Sequence, residues 1–305
     1  MKKNTSAVVY ACIAVFSWST VATAFKIALL HLSHFEMLQI ASCTALFLFI
    51  VILTIQKKWR LVTSLLISQW LYFALIGFLN PVAYYLILFK SYDLLPAQVV
   101  QPINYLWPIF LLILLAVFAH QPIPGRKYVG ISVSLVGVIL ISLGTSQSGK
   151  ESSSFYGLVL AFLSALCWAI YWMIDNRQKE KIDGSVALFA SFLFGTTYLF
   201  IASFWMGSSV FTMAGILSGM YIGGFEIGIP FICFGLAMRK TSNPALINQL
   251  CYLSPFLSFF FISIILGEQI VLTTYIGLCL IVLGILFNQL KKHNSEKIRE
   301  NRQIE

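Results

Sequence analysis

The stretch Leu95–Pro108, LPAQVVQPINYLWP, breaks the rules of the apolar run that contains it. It holds three prolines (Pro96, Pro102, Pro108) and three amide side chains (Gln98, Gln101, Asn104), and it closes on Tyr105 and Trp107. Ten apolar residues, Ile109 to Phe118, follow at once. In lipid each proline removes a backbone hydrogen bond and each amide needs a partner. Irregular backbone at membrane depth is tolerated where protein encloses it or where it lines a cavity. The stretch therefore reads as cavity lining, and the rest of the chain as its enclosure.

Composition supports an enclosure set in lipid. Of 305 residues, 59% are apolar and 10% charged, against roughly 45–50% and 25% in soluble domains. So few charges cannot cover a water-facing surface, and the class is an all-α integral membrane protein. The net charge of +9 is spread in short clusters between apolar runs, the pattern of cytoplasmic loops and not of a nucleic-acid face. The six cysteines (Cys12, Cys43, Cys167, Cys233, Cys251, Cys279) lie in apolar runs without a CxxC pair. They read as free, buried thiols behaving as small hydrophobes, with no disulfide framework and no metal site. No cofactor is expected. The four histidines fall in loops or the tail, and neither a catalytic triad nor an HExxH pattern is present, which argues against an enzyme. The absence of GxxxxGK[ST] argues against ATP drive within this chain.

A membrane-spanning helix needs about 20 apolar residues. Windows at 7–29, 36–55, 68–89, 97–119, 128–145, 155–175, 186–206, 213–236, 245–266 and 271–290 qualify, giving ten expected spans. The first could imitate a signal peptide, with Lys2 and Lys3 ahead of an apolar run and Ala22-Thr23-Ala24 as a cleavage site. Trp18 argues for a retained span, because Trp168 repeats it in the second half. With the N-terminus inside, seventeen Lys and Arg fall on inner segments, among them Lys57, Lys58, Arg126, Lys127, Arg239 and Lys240. The outer loops hold only Lys90 and Lys150. That split predicts both termini in the cytoplasm and an even number of spans.

The chain also matches itself. Gly77–Gly137 overlays Gly224–Gly284 without gaps at an offset of 147, with nine identical pairs that include Tyr105/Tyr252, Pro108/Pro255, Gly130/Gly277 and Gly137/Gly284. A five-span unit repeated once must run upside down in its second copy. The expected organisation is two inverted halves, residues 1–145 and 155–290, with a polar cytoplasmic tail at 291–305. The glycines, seven apart on one face, read as close helix packing.

These residues resemble a known family. Ten spans in two halves, Trp18-Ser-Thr with Lys26 near the end of the first helix, and Tyr-x-x-Pro in the fourth and ninth spans resemble the drug/metabolite transporter superfamily, of the EamA type. Asn104-Tyr-Leu-Trp-Pro108, Cys251-Tyr-Leu-Ser-Pro255 and Trp168-Ala-Ile-Tyr171 followed by Asn176-Arg177 are similar to its aromatic amino acid exporters. The resemblance implies a monomeric ten-helix basket in the inner membrane, exporting amino acids by alternating access. Ser19 departs from a glycine often found after the first-helix tryptophan, which speaks against a sugar-nucleotide carrier. Another small metabolite or a cationic drug is the alternative substrate.

Several residues are candidates for carrying transport. Glu226 is the one acid near mid-span, and acids there cost about 2.5–3.5 kcal/mol on insertion scales. It reads as a proton carrier or a contact for a substrate ammonium, or else as a neutral acid bonded to a neighbouring helix. Asn80 stands at the matching depth of the first half. Trp18 and Trp168 lie too deep for an interfacial belt and read as cavity lining, with Tyr84, Tyr85, Tyr105, Trp107, Tyr171 and Tyr252 as the further aromatic candidates. Gln101, Asn104, Asn248 and Gln249 either bind the polar groups of the solute or link helices. Lys26 either snorkels to water or reaches inward to a carboxylate. Asp175 and Asn176, at the inverted position, end the sixth span as a gate or a solvated helix end.

Overall fold

The computed structural model describes residues 2–118, 120, 123–147, 154–175, 182–205 and 212–289, and within them every regular element is helical. Ten long helices succeed one another. The first five are α1 (Lys2–Leu29), α2 (His34–Ile55), α3 (Ile67–Leu94), α4 (Ala97–Phe118) and α5 (Gly125–Gln147). The second five are α6 (Phe155–Asp175), α7 (Gly184–Ser203), α8 (Met213–Lys240), α9 (Leu246–Leu266) and α10 (Leu272–Gln289). Among the described residues nine of them, all but α5, are long and apolar enough to cross a membrane. Phe16, Phe47, Leu71, Phe204, Phe260 and Leu283 are exposed on their outer faces. So much exposed apolar area suits lipid and not water. Cys12 and Cys279 belong to this exposed set and the other four thiols are only half-buried, so the expectation of six buried thiols is corrected.

Helix ends follow local chemistry. Ser33 and Glu36 form a reciprocal capping box that starts α2. Gly267, at φ 68°, takes the left-handed conformation that terminates α9 and turns the chain toward Glu268.

Four helices are broken near their middles or starts. In α3 a π-helical segment, Phe78–Ala83, contains Asn80 in an extended conformation (φ −143°, ψ 112°) immediately before Pro81. The proline ring disfavours helical dihedrals at the residue before it. In α8 the equivalent segment is Gly223–Gly228. In α4 the helix stops at Asn104 and resumes at Trp107, and in α9 a 3-10 turn, Cys251–Leu253, separates two helical pieces. Pro108 and Pro255 lie four residues beyond Asn104 and Cys251, so neither can donate the helical hydrogen bond back to those carbonyls.

Small residues let these breaks pack. A Cβ on Gly195 would come 2.5 Å from the Pro81 ring, so the break in α3 rests on α7. A Cβ on Gly223 would strike the Ala41 carbonyl oxygen, so the break in α8 rests on α2. Helices α5 and α10 cross through their glycines. A Cβ on Gly137 or on Gly277 would approach the other's carbonyl oxygen to 2.5 Å, and Gly130 and Gly284 meet in the same way. Between these two contacts Ser134 donates to the Ile281 carbonyl at 3.1 Å.

Candidate functional site

The helix breaks surround a cavity of about 870 Å³. Its mouth is built from helix ends. Gln56, Asp175, Arg239 and Gln289 lie at the ends of α2, α6, α8 and α10, while Lys127 lies at the start of α5 and Lys58 in the link after α2. Asp183, the N-cap of α7, accepts from Lys58 at 2.8 Å and from Arg239 at 3.4 Å. Burial pushes the Asp183 carboxyl up, but the Lys58 hydrogen bond, the Ser185 N–H and the two cations together hold it below its ordinary value.

The opposite end is shut by an aromatic plug. Phe25 meets Phe89 and Tyr92 at ring separations of 4.8 and 5.1 Å, and Phe25, Leu88 and Tyr92 are the last lining residues there. Behind the plug the Tyr92–Gln98 reversal between α3 and α4 is clamped from both sides. Lys26 donates to the Tyr92 and Leu95 carbonyls at 3.1 and 3.3 Å. The Glu268 carboxylate accepts from the Ala97 and Gln98 backbone N–H groups at 3.1 and 3.3 Å. A cation at a helix C-terminus and an anion at a helix N-terminus both complement the macrodipole.

The cavity wall is aromatic. Trp168 stacks on Tyr171 (5.1 Å) and lies against Tyr84 (4.6 Å) and Phe231 (6.0 Å). Trp107 stacks on Trp172 at 6.0 Å, and Trp18 meets Phe231 and Phe234. Tyr105 and Tyr252, the repeated tyrosines, approach across the cavity at 6.5 Å. Polar groups punctuate this wall. Glu226 is buried, and its Oε1 accepts from the Tyr85 hydroxyl at 3.1 Å, while the Trp18 indole N–H donates to its backbone carbonyl at 3.1 Å. Asn104 is used on both sides: Tyr84 Oη donates to its Oδ1 at 3.2 Å, and its Nδ2 donates to Ser164 Oγ at 2.9 Å. Asn80 Oδ1 and Gln101 Oε1 are buried without a hydrogen-bond partner.

Of the fourteen candidates for the solute site, twelve line this one space; Tyr85 is fully buried and reaches it through Glu226, and Gln249 is exposed outside it. Their chemistry differs from expectation in places. The Asn104 amide is occupied by helix-to-helix bonds. Lys26 is half-buried and serves two helix-end carbonyls behind the plug, Tyr92 and Leu95, and not a carboxylate. Asp175 lies at the mouth, and Asn176 falls outside the described residues. Sequence reading passed over Trp172, although its i+4 spacing from Trp168 puts both on one helical face. It also passed over Gln289, which donates to the Tyr252 hydroxyl at 2.7 Å, and Glu268, whose role depends on a loop packing against the other half.

A bundle of apolar helices, broken around a large polar-and-aromatic cavity that opens at one end, defines a membrane protein built to hold a small solute. The chain belongs to the EamA-like transporter family, which it matches over residues 5–143 and 155–289. An uncharacterized transporter of Clostridium kluyveri is 30% identical over 173 residues, covering 55% of each chain. An uncharacterized transporter of Archaeoglobus fulgidus is 25% identical over 274 residues, covering 88% of this chain and 93% of its own. The uncharacterized inner membrane transporter YedA of Escherichia coli K12 is 24% identical over 170 residues, covering 55% of this chain and 54% of its own. A solved crystal structure shares the fold over 93% of this chain and 97% of its own, with a TM-score of 0.67 at 19% identity.

Proposed function

We propose that this membrane transporter is a secondary active exporter of amino acids, aromatic ones preferred, working by alternating access through the central cavity. The observation that carries the reading is the wall of Trp18, Trp107, Trp168, Tyr84 and Tyr171 around buried polar groups, which matches a flat apolar solute with polar substituents. The reading places ten spans in two inverted halves, residues 1–145 and 155–290. Both termini and the 291–305 tail lie in the cytoplasm of a cell whose inner membrane holds the protein as a monomer. Several features support it. The basic mouth coincides with the side that the positive-inside rule makes cytoplasmic. Gly130–Gly284 and Gly277–Gly137 are the same contact seen from each half, with Ser134 and Ile281, themselves repeat partners, between them.

In this reading the mouth faces inward and the Lys26–Glu268 clamp is the closed outer gate, with Asp175 and Asn176 in the corresponding inner position. Gln101 and Asn248 are repeat partners, yet Gln101 is buried at the closed end and Asn248 is exposed toward the open one. Exchanging those environments is what alternating access requires. Glu226, the buried acid against Tyr85, is the candidate proton carrier. The same residue supports the second reading, a carrier of cationic drugs or another small metabolite.

The test is solute counterflow in proteoliposomes with labelled phenylalanine, tryptophan, leucine and a cationic dye, each with and without a proton gradient. Aromatic amino acids are expected to exchange fastest. Transport of the dye with no amino acid moving overturns the proposal in favour of the second reading.

A further inference from the structure

The cations of the cavity are confined to one end. Among the described lining residues the cations are Lys58, Lys127 and Arg239, and all three stand at the mouth, where Asp175 also lies and where Lys58 and Arg239 share Asp183. The interior offers acceptors instead. Asn80 and Glu226 are each the fourteenth residue of a 28-residue helix, at the middle of the bundle. Gln101 stands closer to the plug. All three are buried, at 1%, 8% and 5% exposure. Among the described residues Asn80 Oδ1 and Gln101 Oε1 have no partner, and the Glu226 carboxyl accepts only from the Tyr85 hydroxyl, at Oε1. A buried acceptor left without a donor costs about 1–3 kcal/mol, so a solute that brings a donor within reach of these side chains is favoured. The ring faces of Trp168 and Tyr171 carry negative quadrupole charge and favour a cation over an anion.

We propose that the closed half of the cavity receives a protonated amine on an aromatic body, with Asn80, Gln101 and Glu226 as its acceptors. A zwitterionic solute then enters amine first and leaves its carboxylate toward Lys58, Lys127 and Arg239. This deepens the amino acid reading and rests on it for the zwitterion, whereas the amine site itself requires no amino acid. A carboxylate pointed inward would meet Glu226 and find only neutral amide and hydroxyl donors, with no buried cation among the described lining residues to offset its desolvation.

Three matched probes separate the poles: phenethylamine (amine only), L-phenylalanine (both) and 3-phenylpropionate (carboxylate only). Thermal stabilisation of the purified full-length protein reads their affinities. Phenethylamine and L-phenylalanine are expected to bind at least about tenfold more tightly than 3-phenylpropionate, since only they supply donors to the buried acceptors. Gln101→Leu and Glu226→Gln should each narrow that gap while leaving the ligand-free melting temperature near the parent value. Equal or stronger binding of 3-phenylpropionate, or no binding of either amine, overturns the proposal. If phenethylamine binds with the expected preference but no amino acid is moved in liposomes, the amine site stands and the amino acid reading falls. If phenylalanine is transported but the carboxylate-only probe is preferred, the amine site falls and the transport reading stands.

Discussion

Asn104 shows how a residue can stand in the right place with its chemistry already spent. Its oxygen receives Tyr84 Oη and its nitrogen serves Ser164, so it joins α3, α4 and α6. A Tyr84→Phe, Asn104→Ala double-mutant cycle on thermal stability is expected to return a coupling of about 0.6 kcal/mol, the average for hydrogen bonds between membrane helices. KM for the transported solute should shift less than about threefold, a change worth under 0.7 kcal/mol. A far larger KM effect with unchanged stability would return the amide to solute binding. Trp168 makes the opposite case, because its neighbours are rings lining the cavity wall. Trp168→Ala should raise KM for an aromatic solute about tenfold, the scale of an aromatic contact of 0.5–1.5 kcal/mol, and leave leucine nearly unaffected. Residue types were legible in the sequence because acids, amides and indoles at membrane depth are costly and must be housed. Which amides are already satisfied was not legible, since that depends on partners as distant as Ser164.

Broken helices and glycine crossings were the elements most visible in sequence, because proline and glycine act on the backbone wherever they stand. Pro108, Pro255 and the seven-residue glycine spacing mark sites that the fold uses as breaks and as the α5–α10 contact. Gly137→Leu places a side chain against the Gly277 carbonyl oxygen, where the neighbouring backbone cannot yield. The cost should exceed the roughly 1–3 kcal/mol of ordinary overpacking, read as loss of the monodisperse peak in detergent chromatography. The links between elements were less visible, because ion pairs between loops leave no periodic trace. Asp183 joins the start of α7 to the α2–α3 link and to the end of α8. Its carboxyl is held below its ordinary value, so its stabilisation is present in full above the unfolded value of about 3.9 and is lost as pH falls through the folded value. Asp183→Asn should therefore destabilise at pH 6 by about 0.2–1 kcal/mol, and the difference from the parent should vanish well below pH 3.9. A gap that persists at low pH would assign the effect to helix capping instead.

At the scale of the whole molecule the two ends of the cavity are held by different means. Lys26 and Glu268 clamp the plugged end with full charges. Their repeat partners, Asn176 and Gln121, are uncharged in the sequence, and the mouth is open. The proposed alternating-access cycle requires the clamp to break each time the outer side opens, so weakening it should shift the population of states. In a background with the six native cysteines replaced, a cysteine at Asn248 should react with an impermeant thiol reagent from the mouth side, and one at Gln101 should not. Adding Glu268→Ala removes the acceptor for the Ala97 and Gln98 N–H groups and should raise labelling at Gln101 severalfold while lowering it at Asn248. A population change of that size corresponds to roughly 1 kcal/mol, within reach of one charge-assisted pair of hydrogen bonds. Increased labelling at both positions would indicate a loosened bundle. A reciprocal change would identify the clamp as the element that sets which side of the membrane the cavity faces.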